Sequence, residues 1–172
     1  MMDCKKFFEI ANNIINRYGT SNPFELCSHM GINVRYMDLG NVKGMYKYIK
    51  RNYFVVISNK ISKREQYEIC CHELCHHILH RNVCENSFIW DGMLFGKDTV
   101  VEHEANMLCA EIMIDDEELQ QLAKDGNSLG EISSVLEVRA EFVKLKAFSM
   151  KCRGYDLDGD FAVSPDFLVE KL

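Results

Sequence analysis

The sequence predicts an α+β protein in which a small twisted sheet with a hairpin packs on one long helix and is followed by a helical C-terminal part. Three observations predict this class. Short β-rich runs lie between residues 32 and 57, a stretch without glycine or proline follows up to His80, and helix-capping signals recur in the last third of the chain.

Composition allows a well-packed core and argues against some functions. With 172 residues, 47% of them apolar, the chain is long enough for one compact domain, or a domain with a small appendage. A net charge of −6 argues against a nucleic-acid binder that neutralises phosphates, so a protein partner fits better. No CxxC pair, secretion signal or long apolar run occurs, so we expect reduced cysteines and a cytoplasmic protein.

The N-terminal third is predicted to contain two helices and a strand. Apolar residues recur at helical spacing over residues 3 to 18, which predicts a first amphipathic helix. Asn22 as N-cap and Pro23 at the first helical position predict a second, short helix that Gly31 ends. Alternating residues from Ile32 to Met37 predict a strand.

A β-hairpin is predicted next. Two β-rich runs, Met45 to Ile49 and Tyr53 to Ile57, flank Lys50-Arg51-Asn52, a turn without glycine. A peptide substrate can add to the edge of such a sheet through main-chain hydrogen bonds. For the basic residues of this region we favour a solvated face over substrate steering; they are Lys43, Lys47, Lys50 and Arg51.

The long helix carries the pattern His72-Glu73-x-x-His76, and Ser62 with Glu65 forms a capping box at its start. On a helix, residues four apart lie on one face, which brings two imidazoles close enough to bind one zinc ion at about 2.0–2.1 Å. Glu73 lies off that face and can accept a proton from a metal-bound water without ligating the metal. We therefore predict His72 and His76 as metal ligands and Glu73 as the general base.

The third ligand is expected from the next helix, which Thr99 opens. Glu102 stands three residues further on, where it would complete a capping box. Glu104 shares a helix face with apolar residues such as Leu108, and a buried carboxylate requires a partner such as zinc. We therefore predict Glu104 as third ligand, with Glu102 as the second choice and His103 as the third.

His80 is a competing candidate because it lies four residues after His76. However, His72 and His80 are two turns apart, about 12 Å along the helix axis, which is too far for both to bind one ion together with His76. We expect His80 to have a supporting or surface role.

The rest of the chain is predicted to be loop and helix. Residues 81 to 98 read as a loop with apolar content, Asp115 caps a short helix that ends near Gly126, and Ser128 begins a further helical pair. The second helix of that pair is locally basic, but two helices packed on the catalytic part are favoured over a DNA reader.

Two segments together resemble a known family. The sequence is similar to the ImmA/IrrE family of metallopeptidases in these two segments. The first is His72-Glu73-Leu74-Cys75-His76-His77-Ile78-Leu79-His80, and the second is Glu102-His103-Glu104-Ala105-Asn106-Met107-Leu108-Cys109-Ala110. The resemblance implies a zincin-like, specifically gluzincin-like, fold. It also implies zinc held by the two motif histidines and a glutamate of the second segment, and a helix-turn-helix repressor of a prophage or mobile element as the protein substrate.

The expected domains are a zincin-like metallopeptidase domain over residues 1–115 and a C-terminal helical extension over residues 116–172, with one compact domain as the alternative. The expected function is that of a zinc endopeptidase that cleaves a repressor and relieves repression. The alternative is a non-catalytic regulator of the same shape that acts by binding. His103, Tyr46 and Tyr155 are all candidates for stabilising the oxyanion.

Overall fold

A computed structural model describes residues 4–86 and 100–157, and these contain seven helices and three strands. The α+β class is therefore confirmed. In chain order the elements are α1 (Cys4–Tyr18), α2 (Pro23–His29), β1 (Ile32–Met37), β2 (Gly44–Ile49), β3 (Asn52–Ser58), α3 (Lys63–Asn86), α4 (Val100–Met113), α5 (Asp116–Lys124), α6 (Leu129–Val135) and α7 (Ala140–Cys152).

The three strands form a mixed sheet in the order β1-β3-β2. β1 pairs with β3 in parallel, with Ile32 opposite Tyr53, and β2 pairs with β3 in antiparallel fashion, with Gly44 opposite Ile57. The central position of β3 explains why its second half is buried, whereas β2 forms one edge of the sheet.

The predicted hairpin between β2 and β3 is confirmed, and its turn works without glycine. Lys50 and Arg51 have φ angles of 49° and 65°, so two ordinary residues adopt the left-handed conformation that a tight antiparallel connection requires. The short preceding helix α2 is capped as predicted, because the Asn22 side chain accepts a hydrogen bond from the amide of Phe24 at 2.9 Å.

Helix α3 is longer than the sequence indicates. It continues to Asn86, so the loop prediction is wrong for residues 81–86, while residues 87–98 lie outside the described part of the chain. The helix contains one irregularity at His80, where φ is −123° and ψ is 15°. The motif residues therefore lie on the regular part of the helix, before this kink.

The chain divides into two compact units. The sheet unit is Asn16–Ala105, and the helical unit is Met1–Ile15 together with Asn106–Leu172. The core of the sheet unit contains fully buried side chains from α2, β3 and α3: Leu26, Cys27, Val55, Ile57, Cys70 and Leu74. The predicted domain division after residue 115 stays a prediction.

The helical unit is built from capped helices around its own core. Asp115 caps α5, and Ser128 with Glu131 forms a complete capping box on α6, as predicted. Its fully buried side chains include Leu119, Ile132, Phe142, Val143 and Met150. Within the described residues no helix has both the length and the apolar composition needed to cross a membrane.

Candidate metal centre

Helix α3 presents the motif to the site. Its start is fixed by Ser62 and Glu65, because the Ser62 hydroxyl accepts from the Glu65 amide at 3.2 Å while the Glu65 carboxylate accepts from the Ser62 amide at 3.1 Å. The motif begins ten residues after Ser62, on regular helix, so the orientation of its side chains follows from the helical repeat.

The two motif histidines point one nitrogen each at a common position. His72 Nε2 and His76 Nε2 are 3.1 Å apart, and the two ring planes are nearly perpendicular, at 84°. Spacing of four residues on one helix brings the rings together, as predicted from the motif.

Glu102, from the first turn of α4, completes the group. Its two carboxylate oxygens lie 3.2 Å from His72 Nε2 and 3.2 Å from His76 Nε2. One ligand atom from each of the three residues falls within 4.8 Å of the others. Thr99, with which Glu102 was expected to form a capping box, lies outside the described residues.

Glu104, the third ligand predicted from the sequence, lies outside this group, and its role as ligand stays a prediction. Its Oε2 lies 3.0 Å from His80 Nε2 instead. The physical reason is that α4 is buried on nearly all sides from Ala105 to Ile112, so apolar neighbours do not distinguish the face of Glu104 from that of Glu102. Glu102, the second choice from the sequence, therefore has no local signal that separates it from Glu104.

His80 is buried beside the site and is not a surface residue. The ring is buried, and its Nδ1 lies 3.3 Å from His76 Nδ1. As expected from its distance along the helix, His80 is not part of the group formed by His72, His76 and Glu102.

Glu73 lies against the edge strand β2. A Cβ built on Gly44 would be 3.3 Å from Glu73 Oε1, and the Tyr46 amide donates to the Glu73 carboxylate. Burial raises the pKa of Glu73 above its usual range, although the nearby His72 and His76 act in the opposite direction. A carboxylate with a raised pKa is a stronger base, which suits the predicted role.

The electrostatics of Glu102 differ from those of Glu73. Burial alone would raise its pKa, but hydrogen bonds with His72 and His76 outweigh that effect and hold the pKa well below the usual range. Glu102 is therefore ionised and acceptor-only at neutral pH, which is the state that a metal-binding carboxylate needs.

The spacing of these atoms fits a zinc ion. Ligands held about 2.0–2.1 Å from zinc in a tetrahedron lie about 3.3 Å from one another. The two imidazole nitrogens are 3.1 Å apart, and each lies 3.2 Å from one of the two Glu102 oxygens, so the carboxylate meets both nitrogens at about this spacing. Two neutral imidazole nitrogens and one carboxylate form a common donor set of catalytic zinc sites, and three protein ligands leave one position open. We call His72, His76 and Glu102 the metal trio below.

One candidate for the oxyanion helper has another contact. The Tyr46 hydroxyl lies 2.8 Å from His77 Nδ1, and the His77 ring meets the Tyr53 ring edge-on. These contacts join α3 to β2 and β3. The role of Tyr46, His103 or Tyr155 toward an oxyanion stays a prediction.

Comparison with known proteins finds one matching family and two similar proteins. The IrrE N-terminal-like domain of the peptidase M78 family matches residues 27–148. The chain is 36% identical over 140 residues to "uncharacterized immunity region protein 2" of Bacillus phage phi105, a stretch that covers 81% of this chain and 87% of that protein. It is 27% identical over 112 residues to metallopeptidase ImmA of Bacillus subtilis strain 168, which covers 64% of each chain.

The family match covers most of the chain, and its range includes both the motif and the metal trio. A family of metallopeptidases requires a metal, and the trio provides a donor set that can hold one. The chain therefore belongs to the peptidase M78 family, described by its IrrE N-terminal-like domain, which is the ImmA/IrrE family that its two segments resemble.

Proposed function

We propose that this chain is a zinc-dependent endopeptidase in which the metal trio holds the ion and Glu73 acts as the general base. The observation that supports this most strongly is the convergence of two imidazole nitrogens and one carboxylate within 4.8 Å, with Glu73 on the same helix between the two histidines. Glu102 replaces Glu104 as the proposed third ligand.

The residues of this chain divide the chemistry among them. When bound, zinc supplies a Lewis acid that lowers the pKa of a water toward about 7 and polarises the scissile carbonyl. Glu73 accepts the proton of the attacking water and then delivers it to the leaving amine nitrogen. The backbone amide of Tyr46 is a hydrogen-bond donor beside the Glu73 carboxylate and lowers its pKa slightly against the effect of burial.

The position of β2 supports a peptide substrate. β2 is an edge strand, and the amide of its residue Tyr46 donates to Glu73, so the edge of the sheet lies beside the proposed base. A peptide that adds along this edge through main-chain hydrogen bonds has its own carbonyls near that carboxylate. The small mixed sheet and its neighbouring helix α3 are compatible with the zincin-like fold, which is part of this proposal.

The proposed substrate is a helix-turn-helix repressor of a phage or mobile element, and its cleavage relieves repression. Two relatives support this choice by name, since one is an immunity region protein of a phage and the other is metallopeptidase ImmA. The first name places that relative in the immunity region of a phage, and the second describes a metallopeptidase.

The test is a cleavage assay with the purified, zinc-loaded protein and the repressor encoded beside its gene, with products identified by mass spectrometry. Glu73→Gln keeps the size of the side chain but cannot accept the proton. We expect it to retain zinc and to lose cleavage by about 10²–10⁴-fold. Glu25→Gln is the matched control, because Glu25 is an exposed glutamate of α2 outside the trio, and it should cleave as the parent does.

A reporter assay in cells separates proteolysis from regulation by binding. If cleavage is the function, Glu73→Gln fails to relieve repression at matched expression and zinc content. Derepression by the variant at the level of the parent would contradict the proposal and would establish the non-catalytic regulator instead.

A further inference from the structure

A chain of hydrogen bonds extends from the metal trio on the side away from the metal position. His76 uses Nε2 toward His72 and Glu102, and its other nitrogen, Nδ1, lies 3.3 Å from Nδ1 of His80. The far nitrogen of His80, Nε2, lies 3.0 Å from Glu104 Oε2. Two side chains outside the trio are thus linked in series to one of its members.

The direction of these hydrogen bonds follows from chemistry. A neutral imidazole that binds metal through Nε2 carries its proton on Nδ1, so His76 donates to His80 Nδ1. His80 then accepts at Nδ1 and carries its proton on Nε2, where it donates to the Glu104 carboxylate, which can only accept when ionised. Each donor in the series meets an acceptor, so one consistent arrangement of protons satisfies both contacts.

Glu104 and His80 do not form a second metal site with His76. His80 offers Nδ1 to His76 and Nε2 to Glu104, and these two nitrogens lie at opposite edges of one ring. The atoms of the three residues therefore do not converge on one point, in contrast to those of the trio.

Burial makes these two hydrogen bonds effective. The His80 side chain is 8% exposed and that of Glu104 29%, so water competes little for the His80 nitrogens. The kink of α3 also falls at His80, where the regular helix that carries the motif is interrupted. Hydrogen bonds are stronger in such surroundings than in water, and a polar group left unpaired there is costly.

We propose that Glu104 and His80 are positioning residues that fix the tautomer and ring orientation of His76 through the series His76–His80–Glu104. The inference rests on the proposed function, because it assigns His76 Nε2 to the metal. A carboxylate at the end of such a series also makes the ligand nitrogen a better electron donor, so the series strengthens metal binding.

The first test measures zinc affinity by competition with a chelator in the full chain. We expect Glu104→Ala and His80→Ala each to weaken zinc binding about 10- to 100-fold. Glu104→Gln retains an acceptor oxygen of nearly the same position and should recover much of the loss. Glu25→Ala, at an exposed glutamate of the same unit, should bind zinc as the parent does.

A double-mutant cycle distinguishes positioning from direct ligation. If Glu104 acts through His80, the double variant binds zinc no more weakly than His80→Ala alone. If Glu104 is itself a ligand, Glu104→Ala weakens zinc binding as much as Glu102→Ala does. The losses of zinc affinity from Glu104→Ala and His80→Ala then add in the double variant. Additive losses, or unchanged affinity in both single variants, overturn the inference.

The second test needs no variant and so does not depend on whether His80→Ala folds. Long-range ¹H–¹⁵N NMR spectra of histidine-labelled, zinc-loaded protein report which ring nitrogen carries the proton. We expect the proton on Nδ1 in His76 and on Nε2 in His80, and the reverse tautomer in His80 overturns the inference.

The outcomes also separate this inference from the proposed function. A parent protein that binds no zinc overturns both. A parent that binds zinc with the expected tautomers but cleaves nothing leaves the positioning role in place and contradicts the peptidase alone.

Discussion

The two units each contain a cluster of buried ionisable side chains, and the clusters differ in how charge is arranged. In the sheet unit, His72, His76 and Glu102 each place one ligand atom within 4.8 Å of the others. In the helical unit, cationic and anionic side chains pair with one another, and they are Glu111, Asp116, Lys146 and Arg153.

In the cluster of the helical unit, the positive and negative charges balance one another. Lys146 Nζ lies 2.7 Å from a carboxylate oxygen of Glu111 and 2.7 Å from one of Asp116, while Arg153 donates to Asp116 at 2.9 Å. Two cations therefore neutralise two carboxylates. The Arg153 guanidinium also lies 3.8 Å from the centre of the Phe8 ring, which adds a cation–π contact.

This difference in charge arrangement distinguishes a structural cluster from a metal centre. Both clusters contain strongly acidic carboxylates, so a lowered pKa does not distinguish them. What distinguishes the metal trio is that its nitrogen donors are imidazoles, which carry no permanent charge, and that one ligand atom from each residue lies within 4.8 Å of the others. A cluster of lysine, arginine and carboxylates needs no further cation.

The largest expected effect is the loss of metal from Glu102→Ala. Because Glu102 supplies the anionic member of the trio, we expect this variant to lose most of its zinc, as measured by metal analysis after dialysis. Added zinc should raise the melting temperature of the parent by mass action and leave that of the variant nearly unchanged.

Glu104→Ala is the matched comparison for Glu102→Ala, since both glutamates lie in the first half of α4. It should retain more zinc than Glu102→Ala. The reverse ranking would return the third-ligand role to Glu104 and contradict the geometry of the trio.

Lys146→Ala tests the other cluster. The Lys146 side chain is 3% exposed and that of Glu111 is 1% exposed, so removal of the lysine leaves a buried carboxylate whose remaining cation, Arg153, lies 3.9 Å away. Breaking such a pair typically costs about 3–5 kcal/mol of unfolding free energy, which urea denaturation would measure. Lys124→Ala, at an exposed lysine of α5, should change stability by less than about 0.5 kcal/mol.

Local signals made much of the fold predictable. Asn22, Ser62, Asp115 and Ser128 were all identified as caps from the sequence, and each accepts the expected backbone hydrogen bond. Capping depends on residues within one turn of each other, so a single sequence contains the whole interaction. The same holds for the spacing of His72 and His76.

The third member of the trio could not be chosen in this way. Which face of α4 meets α3 depends on packing between segments distant in sequence, and two glutamates two residues apart both lie beside buried neighbours. The cluster around Lys146 was likewise not predicted, because its four members come from three helices or helix ends that are separated by up to 42 positions. Long-range pairing of this kind leaves no periodic signal in the sequence.

Gly44→Ala tests how closely the sheet approaches the motif helix. A Cβ at this position would lie 2.1 Å from Ile69 Cγ2, a methyl group on a stiff β-branched side chain, so the helix or strand must shift. We expect a loss of about 1–3 kcal/mol in unfolding free energy and reduced cleavage, since Glu73 is displaced as well.

Gly130→Ala is the control for Gly44→Ala. A Cβ there meets nothing within 4 Å, and alanine is favoured over glycine in a helix such as α6. The variant should be as stable as the parent or slightly more stable. Equal stability of the two alanine variants would show that β2 and α3 are less tightly packed than the structure indicates.

The smallest expected effect is the pH dependence of the unfolding free energy that Asp116 of the helical unit contributes. Burial alone would raise the pKa of Asp116, but hydrogen bonds and charge from Arg153 and Lys146 lower it from 3.8 to about 2. Because the folded-state pKa is the lower one, Asp116 stabilises the fold above the unfolded value, and this contribution disappears as the pH falls through about 2. One pKa unit corresponds to about 1.4 kcal/mol, and solvent screening of this half-buried carboxylate reduces the contribution, so Asp116→Asn should cost about 1 kcal/mol at neutral pH. Urea unfolding of both proteins between neutral pH and about pH 2 should show this gap closing, and a gap that stays constant would mean that the charge of Asp116 contributes nothing.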